Sequence, residues 1–319
     1  MKKLLALFLM LTLVFSLTAC GSGSTEPEAP ANGGEEGEKK IKVGAIFNNT
    51  YEEFSIKLKA GIEKACAENG YELIEADHNG DNSKGVNDVE NMINMKVDCL
   101  ILWIFSDELY KDVIERAREA GILVLAVDSA IESTEIDGFV TNDHYQVGYD
   151  QAEMLAEGIG GEGEVIVITS PPGTCMTERQ EGALDCFAKY PGITVFEVYD
   201  EGDKGREGYT TTCENAMLAH PNAKALWAVC ADSGLGAVAA ANSHGDSFKD
   251  ILICAGDCSN ECAAAIKEGT MYCGYSLMPT NLAYQTVGLI ERGLNGEKLG
   301  QVEFEGAMYT QENIDEFTD

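Results

Sequence analysis

The chain has 319 residues and is strongly acidic, with 54 Asp and Glu residues against 22 Lys and Arg residues and a formal net charge of −32 at pH 7. A surface of this charge repels nucleic acid and anionic lipid headgroups, so we expect neither as a direct partner. The length is sufficient for two medium-sized domains or one large one, each with a buried core.

The first 19 residues predict a lipoprotein signal peptide. Lys2 and Lys3 precede an apolar run over residues 4–15. This run is too short for a spanning helix, and its basic start is typical of an export signal. Its ending, LTAC, resembles a bacterial lipobox, which implies cleavage before Cys20 and attachment of lipid to the Cys20 thiol. We therefore expect an extracytoplasmic protein that is lipid-anchored to the bacterial cell membrane; the alternative is an ordinary secreted protein.

Residues 20–40 are predicted to form a disordered tether. They consist almost entirely of Gly, Ser, Pro, Ala and Glu, and this composition cannot bury a core. At residue 41 the composition changes abruptly to IKVGAIF. The globular part of the protein is therefore expected to begin there.

Short apolar runs then alternate with longer amphipathic stretches. The predicted strands are Ile41–Phe47, Tyr71–Ala76, Cys99–Ile104, Ile122–Val127, Gly138–Thr141, Glu164–Thr169, Thr194–Val198, Ala225–Cys230, Ile251–Ala255 and Met271–Ser276. Predicted helices between them include Phe54–Asn69, Leu109–Ala120, Tyr145–Glu157 and Asn281–Gly293. The strands are apolar without clean alternation, which is typical of strands covered on both faces. The order of strands and helices favours parallel sheets with right-handed crossovers.

This pattern runs twice, over residues 41–142 and 143–276, which predicts two similar doubly wound lobes. In such folds ligands bind at the carboxyl ends of the strands. The segments after the predicted strands are rich in Asn, Asp, Ser and aromatic residues. Aromatic faces can cover the C–H faces of a sugar, and the polar groups can satisfy its hydroxyl groups. The segments therefore predict a site for a polyhydroxylated ligand.

The cysteines and the short motifs give no sign of a metal, a cofactor or an active site. Several of the eleven cysteines lie in apolar runs and are interpreted as buried small hydrophobic residues, although some could form disulfides. The spacing of Cys254, Cys258 and Cys262 lacks the paired CxxC ligands that structural zinc sites usually show. GIGGEG at 158–163 follows a helix and precedes a strand, which is the reverse of a dinucleotide-binding motif. The sequence contains no nucleophile–base set, so we expect no enzyme, no cofactor and no bound metal.

Several segments in the same order resemble those of type I periplasmic sugar-binding proteins, the ribose/galactose-binding family of ABC importers. The resemblance covers about residues 41–317. The matching segments are IKVGAIFNNTYEEFSIKLKAGIEKACAENGYEL, DHNGDNSKGVNDVENMINMKVDCLIL, AGILVLAVDS, GTCMTERQEGAL, ALWAVCADSGLGAVAA, ILICAGD and YTQENIDEF.

The resemblance implies a set of ligand-binding residues. Asp128 matches a ligand-binding aspartate, Arg179 matches a ligand-binding arginine, and Phe54 keeps one of the aromatic residues of the first loop. The full candidate set is Tyr51, Phe54, Trp103, Asp128, Arg179, Asp232 and Asp257. Structural alternatives are core packing for Trp103, helix capping for Asp232 and Asp257, and a surface ion pair for Arg179.

The sequence also departs from the family in ways that bear on the ligand. The first loop reads YEEF, and Ser129, Cys230 and the pair Ser276-Leu277 stand where the sugar-binding proteins often have polar ligand contacts. Glu52, Glu53 and three aspartates of the candidate set are opposed by Arg179 alone. We therefore expect a ligand other than plain ribose, such as a polyol, an amino sugar or another basic solute, provided that the two glutamates face the cleft.

These observations lead to one prediction of architecture and function. The N-terminal lobe is expected to comprise residues 41–142 and 277–303, and the C-terminal lobe residues 143–276 and 304–319, joined by a three-segment hinge. The expected function is capture of a sugar or sugar-like solute between the lobes by a monomeric protein and its delivery to the permease subunits of an ABC importer. The alternative is a ligand-sensing receptor domain that feeds a chemoreceptor or kinase.

Overall fold

The computed structural model describes residues 40–170, 173–200 and 205–318. The predicted signal peptide, the lipid-attachment residue Cys20 and almost all of the predicted tether lie outside these residues. From Lys40 onward the chain forms one compact unit. Within the described residues, none of the helices combines the length and the apolar character needed to cross a membrane.

The described residues contain twelve strands and nine α-helices. The strands are β1 (Lys42–Phe47), β2 (Glu72–Asp77), β3 (Cys99–Trp103), β4 (Leu123–Val127), β5 (Gly138–Thr141), β6 (Glu162–Thr169), β7 (Gly192–Tyr199), β8 (Ala223–Ala228), β9 (Leu252–Ala255), β10 (Cys273–Ser276), β11 (Gly300–Glu303) and β12 (Ala307–Thr310). The helices are α1 (Glu53–Glu68), α2 (Asn82–Asn94), α3 (Lys111–Glu119), α4 (His144–Gly158), α5 (Thr174–Phe187), α6 (Gly205–Ala219), α7 (Ala231–Ser243), α8 (Asn260–Glu268) and α9 (Pro279–Leu294). All ten predicted strands and all four named helices are confirmed, with shifts of a few residues at their ends.

The strands form two six-stranded sheets with the same internal order. The first sheet runs β11-β5-β4-β3-β1-β2 and the second runs β12-β10-β9-β8-β6-β7. All pairs in the first sheet are parallel, and in the second only the β10–β12 pair is antiparallel. The predicted pair of doubly wound lobes is confirmed, and each lobe is named here by its sheet.

Each sheet is covered by helices on both faces, which explains the uninterrupted apolar runs in the sequence. Helices α1 and α9 pack on one face of the first sheet, and α2 and α3 pack on the other. Helices α4 and α5 cover one face of the second sheet, while α6, α7 and α8 cover the other. Every residue of β3 and β4 is buried, so neither face of these strands can carry polar side chains.

The chain passes between the two sheets three times: after β5, after β10 and after β11. Asn142 lies on the first of these crossings, and its Nδ2 donates a hydrogen bond to the carbonyl oxygen of Phe304 on the third, at 2.6 Å. The next residue, Asp143, caps α4 by accepting from the backbone N–H of Gln146 at 2.9 Å. The sheet order is compatible with the predicted lobe boundaries, which stay a prediction.

Candidate binding cleft

The carboxyl ends of the parallel strands in both sheets line one cleft between the lobes. We call its deep part the inner cleft. The first lobe lines it with residues that follow β1, β3 and β4: Glu52, Phe54, Trp103, Phe105 and Asp128. This is the position where doubly wound sheets bind ligands, because the loops at the strand ends splay apart there.

The second lobe lines the inner cleft with residues that follow β6, β8 and β9. These residues are Cys175, Met176, Arg179, Cys230 and Asp257, and Leu277 joins them from the second crossing. Towards solvent the cleft continues into an outer cleft, whose lining adds Glu53, Lys57, Arg206 and Asp232 among others. Five of the seven candidate residues from the sequence therefore lie together in the inner cleft: Phe54, Trp103, Asp128, Arg179 and Asp257.

The two remaining candidates lie elsewhere. Tyr51 is 61% exposed and lines neither part of the cleft. Asp232 lies in the outer cleft, where Oδ1 accepts from Arg206 Nη2 at 2.7 Å. The capping alternative for Asp232 does not describe its position, because α7 begins at Ala231 and its N-cap residue is Cys230.

Asp128 and Arg179 are joined through His144 in a buried chain of contacts between the lobes. Arg179 Nη2 lies 3.0 Å from His144 Nδ1, and His144 Nε2 lies 3.2 Å from the backbone oxygen of Asp128. Because a guanidinium can only donate, Nδ1 must accept, and the hydrogen of the imidazole is on Nε2. His144 thus accepts a hydrogen bond from Arg179 and donates one to the backbone oxygen of Asp128. These contacts fix Arg179 and Asp128 relative to each other.

Asp128 is held in an unusual geometry for a buried acid. Its φ of 65° lies in the left-handed region, and the side chain is 4% exposed. Trp103 Nε1 donates to Oδ2 at 3.1 Å, and His144 Nε2 lies 3.2 Å from the buried Oδ1. Burial would raise the pKa of this carboxyl, but its contact with His144 and the charge of Arg179 outweigh burial and lower the pKa. Asp128 is therefore an ionised hydrogen-bond acceptor in the wall of the inner cleft.

Arg179 is buried and does not form the surface ion pair considered as its alternative. It is 3% exposed, and Nη1 donates to the carbonyl oxygen of Val229 at 2.7 Å. Its Nε is buried without a partner among the described residues. The close approach of α4 and α5 positions this side chain, because a Cβ on Gly148 would lie 1.8 Å from the backbone oxygen of Arg179.

Asp257 does not cap the helix that follows it, which was the structural alternative to ligand binding. The helix after it, α8, is capped by Ser259, whereas Asp257 Oδ1 accepts from the backbone N–H of Ala231 at the start of α7. Burial raises the pKa of Asp257, and the negative charges of Asp232 and Asp128 add to this effect, against the charge of Arg179.

Glu52 faces the cleft, as the hypothesis of a basic ligand required. It lines both the inner and the outer part. Burial raises its pKa to about 7, with further contributions from the charges of Asp257 and Asp232, although a hydrogen bond with Asn49 opposes them. At neutral pH the carboxyl group of Glu52 is therefore protonated in part of the molecules and ionised in the rest.

Glu53 spans the cleft. Its Oε1 lies 2.6 Å from Lys57 Nζ on the same helix and accepts from the backbone N–H of Asn260 in the second lobe at 2.8 Å. A second contact between the lobes involves Thr174, whose Oγ1 accepts from the backbone N–H of Ala130 at 2.7 Å. These contacts hold the lobes together around the inner cleft.

Aromatic side chains form one wall of the inner cleft. The ring of Phe54 lies 5.7 Å from that of Trp103, and Phe105 meets Trp103 edge-on at 5.2 Å between centroids. Trp103 belongs to the core of the first lobe and lines the cleft at the same time. The core-packing alternative and the cleft position therefore apply together.

Asp128, His144 and Cys175 place three possible metal ligands within 4.8 Å of one another. The arrangement does not suit a metal ion. A metal on His144 Nε2 would require the hydrogen on Nδ1, where Arg179 already donates, and the guanidinium charge would repel the cation. Burial also raises the pKa of the Cys175 thiol well above its usual value.

The cysteines of the described residues are all free thiols, and most of them are buried. The interpretation as small hydrophobic residues holds for nine of these ten, which are fully buried. Cys230 is half-buried and lines the cleft.

Sequence reasoning missed His144, Phe105, Cys175 and Met176 as parts of this region. The sequence places His144 directly after the hinge residues. This position does not predict a contact with Arg179, which lies 35 residues further along the chain. Phe105 lies in a loop and Met176 in the first turn of α5, so the spacing of apolar residues could not assign either to the cleft.

Two doubly wound lobes with a polar cleft at their strand ends define a bilobal solute-binding protein of type I. Comparison with known sequences agrees. The chain belongs to the family described as periplasmic binding protein domain, whose model matches residues 43–298. This family comprises extracytoplasmic solute-binding proteins, and the similar proteins are binding proteins and not enzymes.

Individual relatives cover nearly the whole chain. The ribose import binding protein RbsB of Bacillus subtilis (strain 168) is 27% identical over 299 residues, which covers 94% of this chain and 95% of that protein. A solute-binding protein of Burkholderia graminis in complex with D-arabinose has a TM-score of 0.83 at 23% identity, covering 88% of this chain and 99% of its own. A solute-binding protein of Bacillus halodurans with bound myo-inositol has a TM-score of 0.82 at 21% identity, with coverages of 88% and 98%. The two structures establish the shared fold.

Proposed function

We propose that the protein is a lipid-anchored extracytoplasmic binding protein that captures a sugar or sugar-like solute between its lobes and delivers it to the permease of an ABC importer. The observation that carries this proposal is the inner cleft, where Asp128 of the first lobe and Arg179 and Asp257 of the second lobe line one space. A solute in that space contacts both lobes only when they lie together.

The chemistry of the cleft supports a polyhydroxylated solute. Phe54, Phe105 and Trp103 offer aromatic faces for C–H groups, and Asp128, Arg179 and Asp257 offer charged hydrogen-bonding groups. Such a combination of aromatic faces and charged hydrogen-bonding groups is suited to a sugar or a polyol. The relatives named for ribose import and the neighbours with bound D-arabinose and myo-inositol agree with this class.

Closure of the lobes would signal that the solute is bound. The contacts of Glu53 with Asn260 and of Thr174 with Ala130 join the lobes directly. A ligand that contacts both lobes shifts the population towards this closed arrangement, and the three crossings serve as the hinge. We propose that the closed monomer docks on the permease while lipid on Cys20 keeps it at the membrane.

The first test is a thermal-shift screen of the purified full-length protein against pentoses, hexoses, polyols, amino sugars and nucleosides. A ligand at 100 times its dissociation constant should stabilise the fold by about 2.7 kcal/mol. Asp257→Asn should remove the shift, whereas Glu119→Gln, an exposed change on α3 outside the cleft, should keep it. If no compound of the panel stabilises the protein, the sugar-binding function is rejected.

The anchor is tested separately by labelling cells with a radioactive fatty acid. The wild-type protein should carry the label and fractionate with membranes, and Cys20→Ala should be unlabelled. Label that persists on the variant would contradict attachment at this residue.

A further inference from the structure

We propose that the solute of this cleft carries a protonated amine, and that Glu52 of the first lobe and Asp257 of the second lobe bind it between them. The inference rests on the proposed function and narrows its substrate to amino sugars or related basic polyols. Its basis is the imbalance of charge and of hydrogen-bonding groups in the inner cleft.

The inner cleft contains more negative than positive charge. Glu52, Asp128 and Asp257 contribute three carboxyl groups, and Arg179 is the one cationic side chain among the described residues that line it. His144 lies behind it, with Nδ1 3.0 Å from Arg179 Nη2. Closure would therefore enclose three carboxyl groups with one guanidinium, and enclosed charge of one sign is strongly unfavourable.

The cations of the outer cleft are engaged with other acids. Lys57 Nζ lies 2.6 Å from Glu53 Oε1. Arg206 lies 2.7 Å from Asp232 and 2.5 Å from Glu261. Both of these cations are paired with outer acids, so they do not offset the excess of carboxyl groups in the inner cleft.

The hydrogen-bonding groups show the same imbalance. Glu52, Asp128 and Asp257 offer six carboxyl oxygens as acceptors, whereas Arg179 Nε is the one buried donor without a partner among the described side chains that line the inner cleft. Cys230, Leu277 and Met176 line the cleft without offering a strong donor. A neutral sugar brings hydroxyl groups that accept as well as donate, whereas an ammonium group has three donors and no acceptor. A cleft rich in acceptors and poor in donors is matched by the ammonium group.

The partial protonation of Glu52 reflects the same lack of positive charge in the inner cleft. Its pKa of about 7, raised by burial and by the charges of Asp257 and Asp232, means that the closed cleft takes up a proton near the point where the ligand cation would lie. Binding of an ammonium group should displace that proton. The carboxyl O–H bond then breaks, the proton goes to the buffer, and the carboxylate accepts from the ammonium group.

The test uses isothermal titration calorimetry with three matched pairs at pH 7: D-glucosamine with D-glucose, D-galactosamine with D-galactose, and D-mannosamine with D-mannose. In at least one pair the amino sugar should bind about tenfold or more tightly than its neutral partner, the usual size of a charge-assisted hydrogen bond. Glu52→Gln and Asp257→Asn should each abolish this preference, and the surface control Glu119→Gln should leave it unchanged.

A second measurement distinguishes the loss of the Glu52 charge from a general loss of structure in the variant. Titrations in buffers of different ionisation enthalpy should show proton release when the amino sugar binds to the wild-type protein and none with Glu52→Gln. If a neutral sugar binds as tightly as its amino partner, or if no protons are released, the inference is overturned and the proposed function stands. If none of the six sugars binds, the inference is overturned, and the wider thermal-shift screen decides the sugar-binding function separately.

Discussion

The carboxyl group of Glu52 couples the charge of the cleft to the approach of the lobes. Its own lobe supplies the opposing hydrogen bond of Asn49 and the charge of Asp128, while the second lobe supplies Asp257 and Asp232. Separation of the lobes would remove the last two charges and expose the group to water. The ionised form of Glu52 therefore favours the open arrangement of the empty protein, and the protonated form favours the closed one.

This coupling predicts a pH dependence of stability. Since the pKa of Glu52 rises from 4.5 to about 7 on folding, its stabilising contribution is complete below about 4.5 and is lost as the pH rises through about 7. The unfolding free energy of the ligand-free protein should therefore fall by roughly 1 to 3 kcal/mol between pH 5 and pH 8 relative to Glu52→Gln. Asp257, whose pKa is also raised, acts in the same direction, whereas Asp128, whose pKa is lowered, acts in the opposite one at lower pH.

The measurement is denaturant unfolding of both proteins across this range. Parallel curves for the wild type and Glu52→Gln would contradict the prediction.

At the scale of single residues, sequence reasoning could find the acids but not the chain of contacts that orients them. Asp128 and Asp257 directly follow apolar strands, and strand ends meet at one edge of a parallel sheet. Arg179 was predicted because its segment, GTCMTERQEGAL, resembles a segment of the type I sugar-binding proteins. His144 could not be found, because its role depends on the packing of α4 against α5 and on the distance between the lobes.

At the scale of elements, the contact between α4 and α5 decides where Arg179 lies. The helices approach so closely that a Cβ on Gly148 would lie 1.8 Å from the backbone oxygen of Arg179, and one on Gly182 would lie 1.9 Å from that of Tyr145. Backbone atoms cannot move aside as the end of a flexible side chain can. Any side chain at these two positions must separate the helices.

Gly148→Ala should therefore destabilise the protein by about 1 to 3 kcal/mol, as overpacking does, and weaken solute binding because Arg179 shifts. Gly288→Ala is the matched control: Gly288 lies in α9 and has open space at the position of a Cβ. This change should stabilise the protein by up to about 1 kcal/mol through helix propensity. Chemical denaturation and calorimetric titration of both variants test the pair; equal effects of the two substitutions would refute the argument.

The elements that the sequence did not predict are the last two strands. β11 is short, polar and largely exposed, and it lies at the edge of its sheet. β12 has four residues, of which one is buried. Neither has the apolar run by which the other ten strands were predicted, and an edge strand with one partner needs less burial than a central strand. Their positions follow from pairing with β5 and β10, which only the assembled sheets provide.

At the scale of the whole molecule, closure depends on a few direct contacts between the lobes. Thr174 Oγ1 accepts from Ala130 N–H at 2.7 Å and lies 3.1 Å from Ser129 Oγ. Thr174→Val removes the acceptor while keeping the shape of the side chain. The loss of about 1 kcal/mol in the closed state should accelerate solute dissociation about fivefold, with little effect on unfolding.

Stopped-flow dissociation with the solute identified by the screen measures this effect. The control is Thr211→Val on α6, where the hydroxyl is exposed and bonds within its own helix to Glu207. Equal dissociation rates for the wild type and Thr174→Val would show that this contact does not hold the lobes together.

The pairing of β5 with β11 has a consequence for the order in which the chain folds. Gly138 is the register partner of Gly300, so the edge of the first sheet is built from segments separated by strands β6 to β10 of the second lobe. Contacts between residues so far apart in the sequence slow folding, because the chain loses the entropy of closing a long loop before these contacts can stabilise it. During synthesis the first sheet cannot be completed until residue 303 is available. The edge strand β12 of the second sheet follows β11 in the chain, so we expect both sheets to be completed late, after nearly the whole polypeptide has been made.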